Sequence, residues 1–254
     1  MKLLFIGDVV GSIGCEFLKK RLPELKREYE ADVVVVNGEN SADGNGITAH
    51  SAKQIFQAGA DVITTGNHAF QRRTDLQIYE NDCIIRPANY GEACPGKGVT
   101  VCDMGSCQIA VINLSGVLFL ENLENPFTVA DDILETIETP NIFVDFHAEA
   151  TSEKRAMGFY LSKRVTAVMG THTHVPTADA CILENHTGYI TDVGMTGVED
   201  SILGTDKKIA LERMHLHVPK RYKEAVGACW LNGVLVEFEK KYGKCTKITP
   251  LIVR

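Results

Sequence analysis

Short apolar runs recur along this chain, and each gives way abruptly to a polar cluster built around glycine, carboxylate, amide or imidazole. Residues 2–6 (KLLFI) stop at Gly7-Asp8, residues 32–36 (DVVVV) at Asn37-Gly38-Glu39-Asn40, and residues 61–65 (DVITT) at Gly66-Asn67-His68. The same device returns later, with residues 141–146 (NIFVDF) before His147 and residues 165–169 (VTAVM) before Gly170-Thr171-His172-Thr173-His174. Runs of this length bounded by glycine read as buried strands. Between the early runs, residues 16–29 and 49–58 are predicted helices, and strand alternating with helix predicts parallel pairing.

From residue 98 the pattern changes. VTVCDMGSCQIAVINL (residues 99–114) predicts two strands joined by a tight turn through Met104-Gly105-Ser106, and residues 179–192 and 228–254 predict further hairpins. Helices are expected over 129–138 and 152–162, between strands of the second half. The expected fold class is α/β, a four-layer α/β/β/α sandwich with two mixed sheets, in one domain over residues 1–254. Residues 118–126 and 196–219 show no clear period and are candidates for lids or subunit contacts.

Composition narrows this little. The 254 residues are 44% hydrophobic and 23% charged, ordinary for a globular chain. The net charge of −7 gives no footprint for long nucleic acid, although metal ions could still hold a small anion. The opening MKLLFIGD breaks its apolar run at Asp8 and no uninterrupted apolar stretch reaches spanning length, so a cytoplasmic location with no membrane contact is expected. Eight cysteines are scattered without a CxxC and read as mostly buried thiols.

Ligands at five strand ends can converge on one edge of a sheet, where open α/β sheets place their sites. Asp8, Glu39, Asn40, Asn67, His147, His172 and His174 form the candidate metal set. Glu39 is the expected bridge, because each carboxylate oxygen can bind a different cation. Asp8, His174 and Asn40 would hold a first ion, and Asn67, His147 and His172 a second. The spacing of His172 and His174 suits an extended segment, whose alternate residues point the same way. Carboxylate, amide oxygen and imidazole without thiolate favour two divalent or trivalent ions, iron or manganese before zinc. A hydroxide held between two such ions would attack phosphorus, and His68, beside Asn67, is the candidate proton donor to the departing alkoxide.

Gly7-Asp8, Gly38-Glu39-Asn40, Gly66-Asn67-His68, His147 and Gly170-Thr171-His172-Thr173-His174 resemble the five motifs of the calcineurin-like metallophosphoesterases. Within that superfamily, GDVVG, NGENSADGNGIT, TTGNH, DFHAEATSEK and GTHTHVPTAD resemble the YmdB branch of bacterial phosphodiesterases. The resemblance implies a binuclear hydrolase of 2',3'-cyclic nucleotides, His68 near the leaving group, a small phosphodiester substrate and a homo-oligomer. Val10 stands where the wider superfamily commonly has imidazole, and Glu39 where it has Asp; both departures are typical of that branch.

Each residue also has a plainer reading. Asp8 could cap the helix after Gly11, Asn40 could support the turn through Asp43-Gly44-Asn45-Gly46, and Asn67 could accept backbone hydrogen bonds. That glycine-rich turn lacks the lysine of a nucleotide-binding loop. His215 and His217 lack carboxylate partners and read as surface or interface residues, and His50 and His186 as incidental. Thr151 to Glu153 could start a helix, Ser152 and the neighbouring carboxylates serving its first turn, with a substrate role as the alternative for Glu149, Thr151 and Ser152. The rival functions are a regulatory protein that binds a nucleotide with slow or no turnover, and a phosphomonoesterase or nucleotidase using the same metals.

Overall fold

The computed structural model describes residues 1–43 and 45–254, so Gly44 of the glycine-rich turn lies outside the described residues. In chain order the elements are β1 (Lys2–Ile6), β2 (Asp8–Val9), α1 (Gly11–Glu28), β3 (Val33–Asn37), α2 (Ala49–Ala58), β4 (Val62–Thr64) and β5 (Ile84–Ile85). There follow β6 (Val99–Asp103), β7 (Gln108–Ser115), α3 (Pro126–Thr136), β8 (Ile142–His147), α4 (Thr151–Tyr160) and β9 (Ala167–Thr171). The chain ends through β10 (Cys181–Leu183), β11 (Thr187–Ile190), β12 (Met195–Val198), α5 (Lys207–Leu216), β13 (Cys229–Glu239) and β14 (Lys244–Val253).

The strands form two mixed sheets. One has the order β2-β12-β13-β1-β3-β4-β5, with β14 paired to β13; the other runs β10-β11-β9-β8-β7-β6. Side chains of a strand alternate between its faces, so a strand buried on both must be apolar throughout. In β1, Leu3 and Phe5 join Val33, Val35, Ile109, Val111 and Phe143 in the core between the sheets. Leu4 and Ile6 instead meet Leu18, Leu22 and Ile55 under α1 and α2. On the far side, Ile112, Leu114, Val144 and Phe146 pack with Ala130 of α3 and Met157 of α4. The layers are therefore helices, sheet, sheet, helices, the expected α/β/β/α sandwich.

Local chemistry sets the helix ends. Thr48 accepts from the Ser51 backbone N–H at 3.2 Å while Ser51 Oγ accepts from the Thr48 N–H at 3.0 Å, and Gly59 closes α2 at φ 112°. That box places α2 where the sequence predicts it. The first helix begins earlier than expected, at Gly11, and is capped by Val10 with no side-chain bond, so Asp8 is not its cap. The start of α4 likewise has no side-chain cap; Glu153 accepts from the Val117 and Leu118 N–H groups at 2.9 and 3.3 Å. Residues 118–126 are thus tied down near their start rather than free. Residues 196–219, expected to be irregular, contain most of β12 and all of α5, whose pairing with β13 and β2 no local period could reveal.

The cysteines are free, but only Cys15 and Cys245 are buried, which corrects the expectation of mostly buried thiols. The other six sit on hairpins, edge strands and loops, where half-burial suffices for a small apolar side chain. Burial pushes the Cys15 thiol up to about 12 and Cys245 up to about 11. His215 and His217 lie exposed at the end of α5.

At the end of the second sheet, Lys154 of α4 is 1% exposed and donates from Nζ to Asp192 at 2.7 Å and Thr173 Oγ1 at 3.1 Å. Asp192 is fully buried and also accepts from the Thr173 and Gly194 N–H groups. Removing one member of a buried pair strands the other charge, at a cost of about 3–5 kcal/mol. Lys154→Met should therefore lower the free energy of unfolding measured in urea by that order, moving the midpoint down, and adding Asp192→Asn should recover part of it. An unchanged midpoint in Lys154→Met would show that the pair contributes nothing.

Candidate metal centre

The strand ends deliver the candidate side chains to one place, from two facing sheet edges rather than from a single edge. Asp8 lies in β2, Glu39 and Asn40 follow β3, Asn67 and His68 follow β4, His147 ends β8, and His172 and His174 follow β9. Asp8, Glu39 and His147 are fully buried, and Asn40 and His174 nearly so. The tight turns after the strands require glycine at Gly66, where an added Cβ would overlap Glu39 Oε2 and His147 Cδ2.

Two subsets share Glu39. On one side, His174 Nε2 lies 3.6 Å from Asp8 Oδ1 and 3.3 Å from Asn40 Nδ2. On the other, His147 Nε2 lies 3.0 Å from both Asn67 Oδ1 and His172 Nδ1. Glu39 Oε1 sits 3.0 Å from Asn40 Nδ2 and 3.1 Å from His147 Nε2. The turn that carries His172 and His174 is not extended, because their φ angles are 94° and 64°. The expected alternation is therefore replaced by two left-handed residues, between which Thr173 is anchored to Asp192 through its N–H at 3.1 Å and its hydroxyl at 2.6 Å.

Lone pairs outnumber protons here. His147 Nε2 has one position for a proton or a bond, yet faces a carboxylate, an amide oxygen and a second imidazole nitrogen. Asp8 Oδ1 and Asn40 Oδ1 are buried and accept no hydrogen bond among the described residues. Burial opposes ionisation of Asp8, but the adjacent His174 ring and the His147 charge hold its carboxyl below the usual range. Burial also opposes ionisation of Glu39, and His147 followed by His68 outweighs it. Burial and the neighbouring His147 charge hold His172 low, while Glu39 and Asp8 draw His147 upward against its own burial. Two imidazolium ions cannot share a 3.0 Å contact. Ionised carboxylates, orphaned oxygens and imidazole lone pairs in a largely buried cluster fit cations of the hard or borderline kind. One ligand atom from each of Glu39, His147 and His172 lies within 4.8 Å of the others.

Several supporting residues were not singled out by the sequence reading. His147 Nδ1 meets Thr171 Oγ1 at 2.9 Å, and Thr171 donates to Asp145 Oδ1 at 2.6 Å. This fixes the ring with Nε2 facing the cluster, as partners beyond the ligand shell commonly do. Asp145 is fully buried; burial raises it to about 6 against the His147 charge and its own donors. Glu149, weighed above as a substrate residue, instead pairs with His172 Nε2 at 2.9 Å. His174 Nδ1 faces the Leu203 carbonyl at 3.3 Å. The sequence signal for Asp145 was its place two residues before His147 in an apolar strand, on the same face.

His68 is half-buried, with Nδ1 3.1 Å from Glu39 Oε1 and Nε2 3.4 Å from Asn45 Nδ2. Arg72 holds the neighbouring loop through the Asn45 carbonyl at 2.9 Å and the Asp43 carbonyl, and the Ala42 N–H closes it on the Gly46 carbonyl.

The geometry has clear relatives. The model of the YmdB-like protein family matches residues 4–251. The chain is 44% identical to the 2',3'-cyclic-nucleotide 2'-phosphodiesterase of Bacillus subtilis (strain 168), over 100% of this chain and 97% of that protein. The fold superposes on a novel phosphatase from Mycoplasma pneumoniae with a TM-score of 0.95 at 32% identity, covering 100% of this chain and 93% of that one. A hypothetical protein from Thermus thermophilus gives a TM-score of 0.94 at 37% identity, covering 99% of this chain and 98% of that one.

Gly66→Ala tests the cluster directly, because its methyl group would push apart Glu39 and His147. Manganese affinity of the metal-stripped protein, read by calorimetry, should fall by about 10- to 100-fold or more, the loss typical of displacing even the partners of ligands. Undiminished affinity would mean that these two side chains do not hold the ion.

Proposed function

This chain belongs to the YmdB-like protein family, and on that premise we propose that it is a phosphodiesterase opening 2',3'-cyclic nucleotides at a pair of metal ions. The observation that carries the proposal is the buried cluster in which Glu39 stands between the Asp8, Asn40, His174 subset and the Asn67, His147, His172 subset. The 44% identity to a 2',3'-cyclic-nucleotide 2'-phosphodiesterase supports the substrate class.

In this reading Asp8, Asn40 and His174 would hold one ion, Asn67, His147 and His172 the other, with Glu39 available to both. Iron or manganese suits the donors best, with zinc also compatible. Ions bound there would bring the pKa of a coordinated water from about 15.7 towards 7 and offset charge on the phosphoryl oxygens. Thr171 and Asp145 keep the His147 Nε2 lone pair aimed inward. Glu149, accepting the Nε2 proton of His172, leaves the Nδ1 lone pair facing the cluster. In the hydrolysis a water oxygen bonds to phosphorus as its proton passes to solvent, the bond from phosphorus to one ribose oxygen breaks, and that oxygen takes a proton. His68 delivers it, its ring oriented by the Glu39 contact at Nδ1.

The decisive experiment compares 2',3'-cyclic AMP with 3',5'-cyclic AMP on metal-stripped protein resupplied with manganese or iron. Metal-dependent opening of the 2',3' ring is expected. Bound metal without turnover of either would sink the enzymatic reading and favour a nucleotide-binding regulator. Asp8→Asn, with circular dichroism unchanged, should lose metal-supported turnover by at least about 100-fold, more than loss of a ligand's partner costs. For His68→Ala the expected loss is about 10²- to 10⁴-fold with alkoxide leaving groups and much smaller with nitrophenolate. Equal losses would assign His68 to substrate positioning instead.

A further inference from the structure

Beside Asn67 a cavity of about 240 Å³ opens, lined by Phe70, Gln71, Arg73, Tyr90, Glu121 and Asn67 itself. We propose that this cavity receives the nucleobase of the substrate, so that it selects nucleoside cyclic phosphates over base-free cyclic phosphodiesters. The inference rests on the phosphodiesterase reading above and adds where the non-phosphate half of the substrate lies.

Size, charge and surface all point the same way. Pockets that enclose a whole drug-sized ligand run to about 300–1,000 Å³, so this one takes a part of a substrate. It shares Asn67 with the cluster, whose Asn67 Oδ1 lies 3.0 Å from His147 Nε2, so a molecule held there by its phosphate has this cavity next to it. The Glu121 carboxylate disfavours a second phosphate, and Arg73 offsets its charge, which leaves the cavity suited to a neutral group rich in donors and acceptors. A heterocyclic base is such a group: a carboxylate accepts from its ring or exocyclic N–H, and its π face stacks on aromatic side chains.

The aromatic wall is held by the protein's own contacts. Phe70 and Tyr90 meet edge to face, with centroids 5.2 Å apart and planes at 78°, and Phe70 meets Tyr79 at 5.6 Å. The Tyr90 hydroxyl donates to Glu121 Oε2 at 2.9 Å. The loop carrying Tyr90 is wound around Arg86, 4% exposed, whose guanidinium donates to the carbonyls of Pro87, Ala88 and Gly91 within 3.1 Å. The loop carrying Glu121 is pinned by Glu153 at Val117 and by Asn89 at Glu124. Preorganised aromatic and polar groups cost little to bind against.

The test uses metal-loaded full-length protein and two substrates, adenosine 2',3'-cyclic phosphate and glycerol 1,2-cyclic phosphate. Tyr90→Ala should lower kcat/KM for the adenosine substrate about 10-fold or more relative to the glycerol one, through KM, as loss of one base-stacking partner would. Tyr90→Phe keeps the ring against Phe70 and should keep most of the preference, which separates stacking from misfolding. Glu121→Gln should change the ranking among adenosine, guanosine, cytidine and uridine substrates. Equal losses on both substrates, or a wild type with no preference for adenosine, would overturn the proposal. In parallel, calorimetry compares adenosine 3'-monophosphate with glycerol 2-phosphate; tighter binding of the nucleotide, abolished in Tyr90→Ala, is expected. If the wild type hydrolyses neither cyclic phosphate, the phosphodiesterase reading fails, and this binding comparison still decides the subsite: equal affinities reject it.

Discussion

The two sheets meet at their cluster-bearing edges around a buried carboxylate, and the rest of the site inherits its geometry from that junction. Asp145, on β8 of the second sheet, accepts from Asn37 Nδ2 of β3 at 2.9 Å and from Thr64 Oγ1 of β4 at 2.5 Å, both on the first sheet. Its other oxygen takes the Thr171 hydroxyl of β9. A buried carboxylate without donors would be very costly, whereas one fully supplied makes a rigid junction. The Thr65 N–H to Asn113 Oδ1 bond at 3.0 Å adds a second polar stitch between the sheets. Apolar packing alone leaves two sheets free to slide by small amounts; directional bonds between Asn37, Thr64, Thr171 and Asp145 remove that freedom. The residues at or just beyond the ends of these strands, Glu39, Asn67, His147 and His172, are thereby held at fixed separations.

Much of this was legible along the chain because it depends on local signals. Each of the five apolar runs is a strand, and each polar cluster after it lands in one place, because strand ends of a twisted sheet gather their loops. The bounds of α2 could be read because Thr48 and Gly59 specify both ends chemically. The hairpin turn at Met104 to Ser106 was equally local.

What escaped depends on partners distant in sequence. Strand β12 is short and exists through its ladder to β13 and β2. Helix α5 buries only Ala210 and carries little amphipathic signal, so periodicity could not find it. Alternate histidines fit a strand, yet His172 and His174 are a left-handed pair, because Thr173 bound to Asp192, and Asp192 to Lys154, bends the turn. Glu149 and Asp145 were visible as residues but not as partners of His172 and, through Thr171, of His147, since those contacts form only when β8, α4 and β9 are assembled.

The position of β13 has a bearing on how the molecule comes into being. It inserts antiparallel beside β1, pairing Lys2 with Glu237 and Ile6 with Gly233, while the amino terminus donates to the Phe238 carbonyl. The side of β1 that faces β13, apolar from Leu3 to Ile6, therefore stays unpaired in a growing chain until Cys229–Glu239 has been made, although β3 can already cover the other side. Closure over such a span is slow, and an unpaired edge invites pairing with other chains. Joining the two ends of the first sheet is thus a long-range step that no local contact can replace.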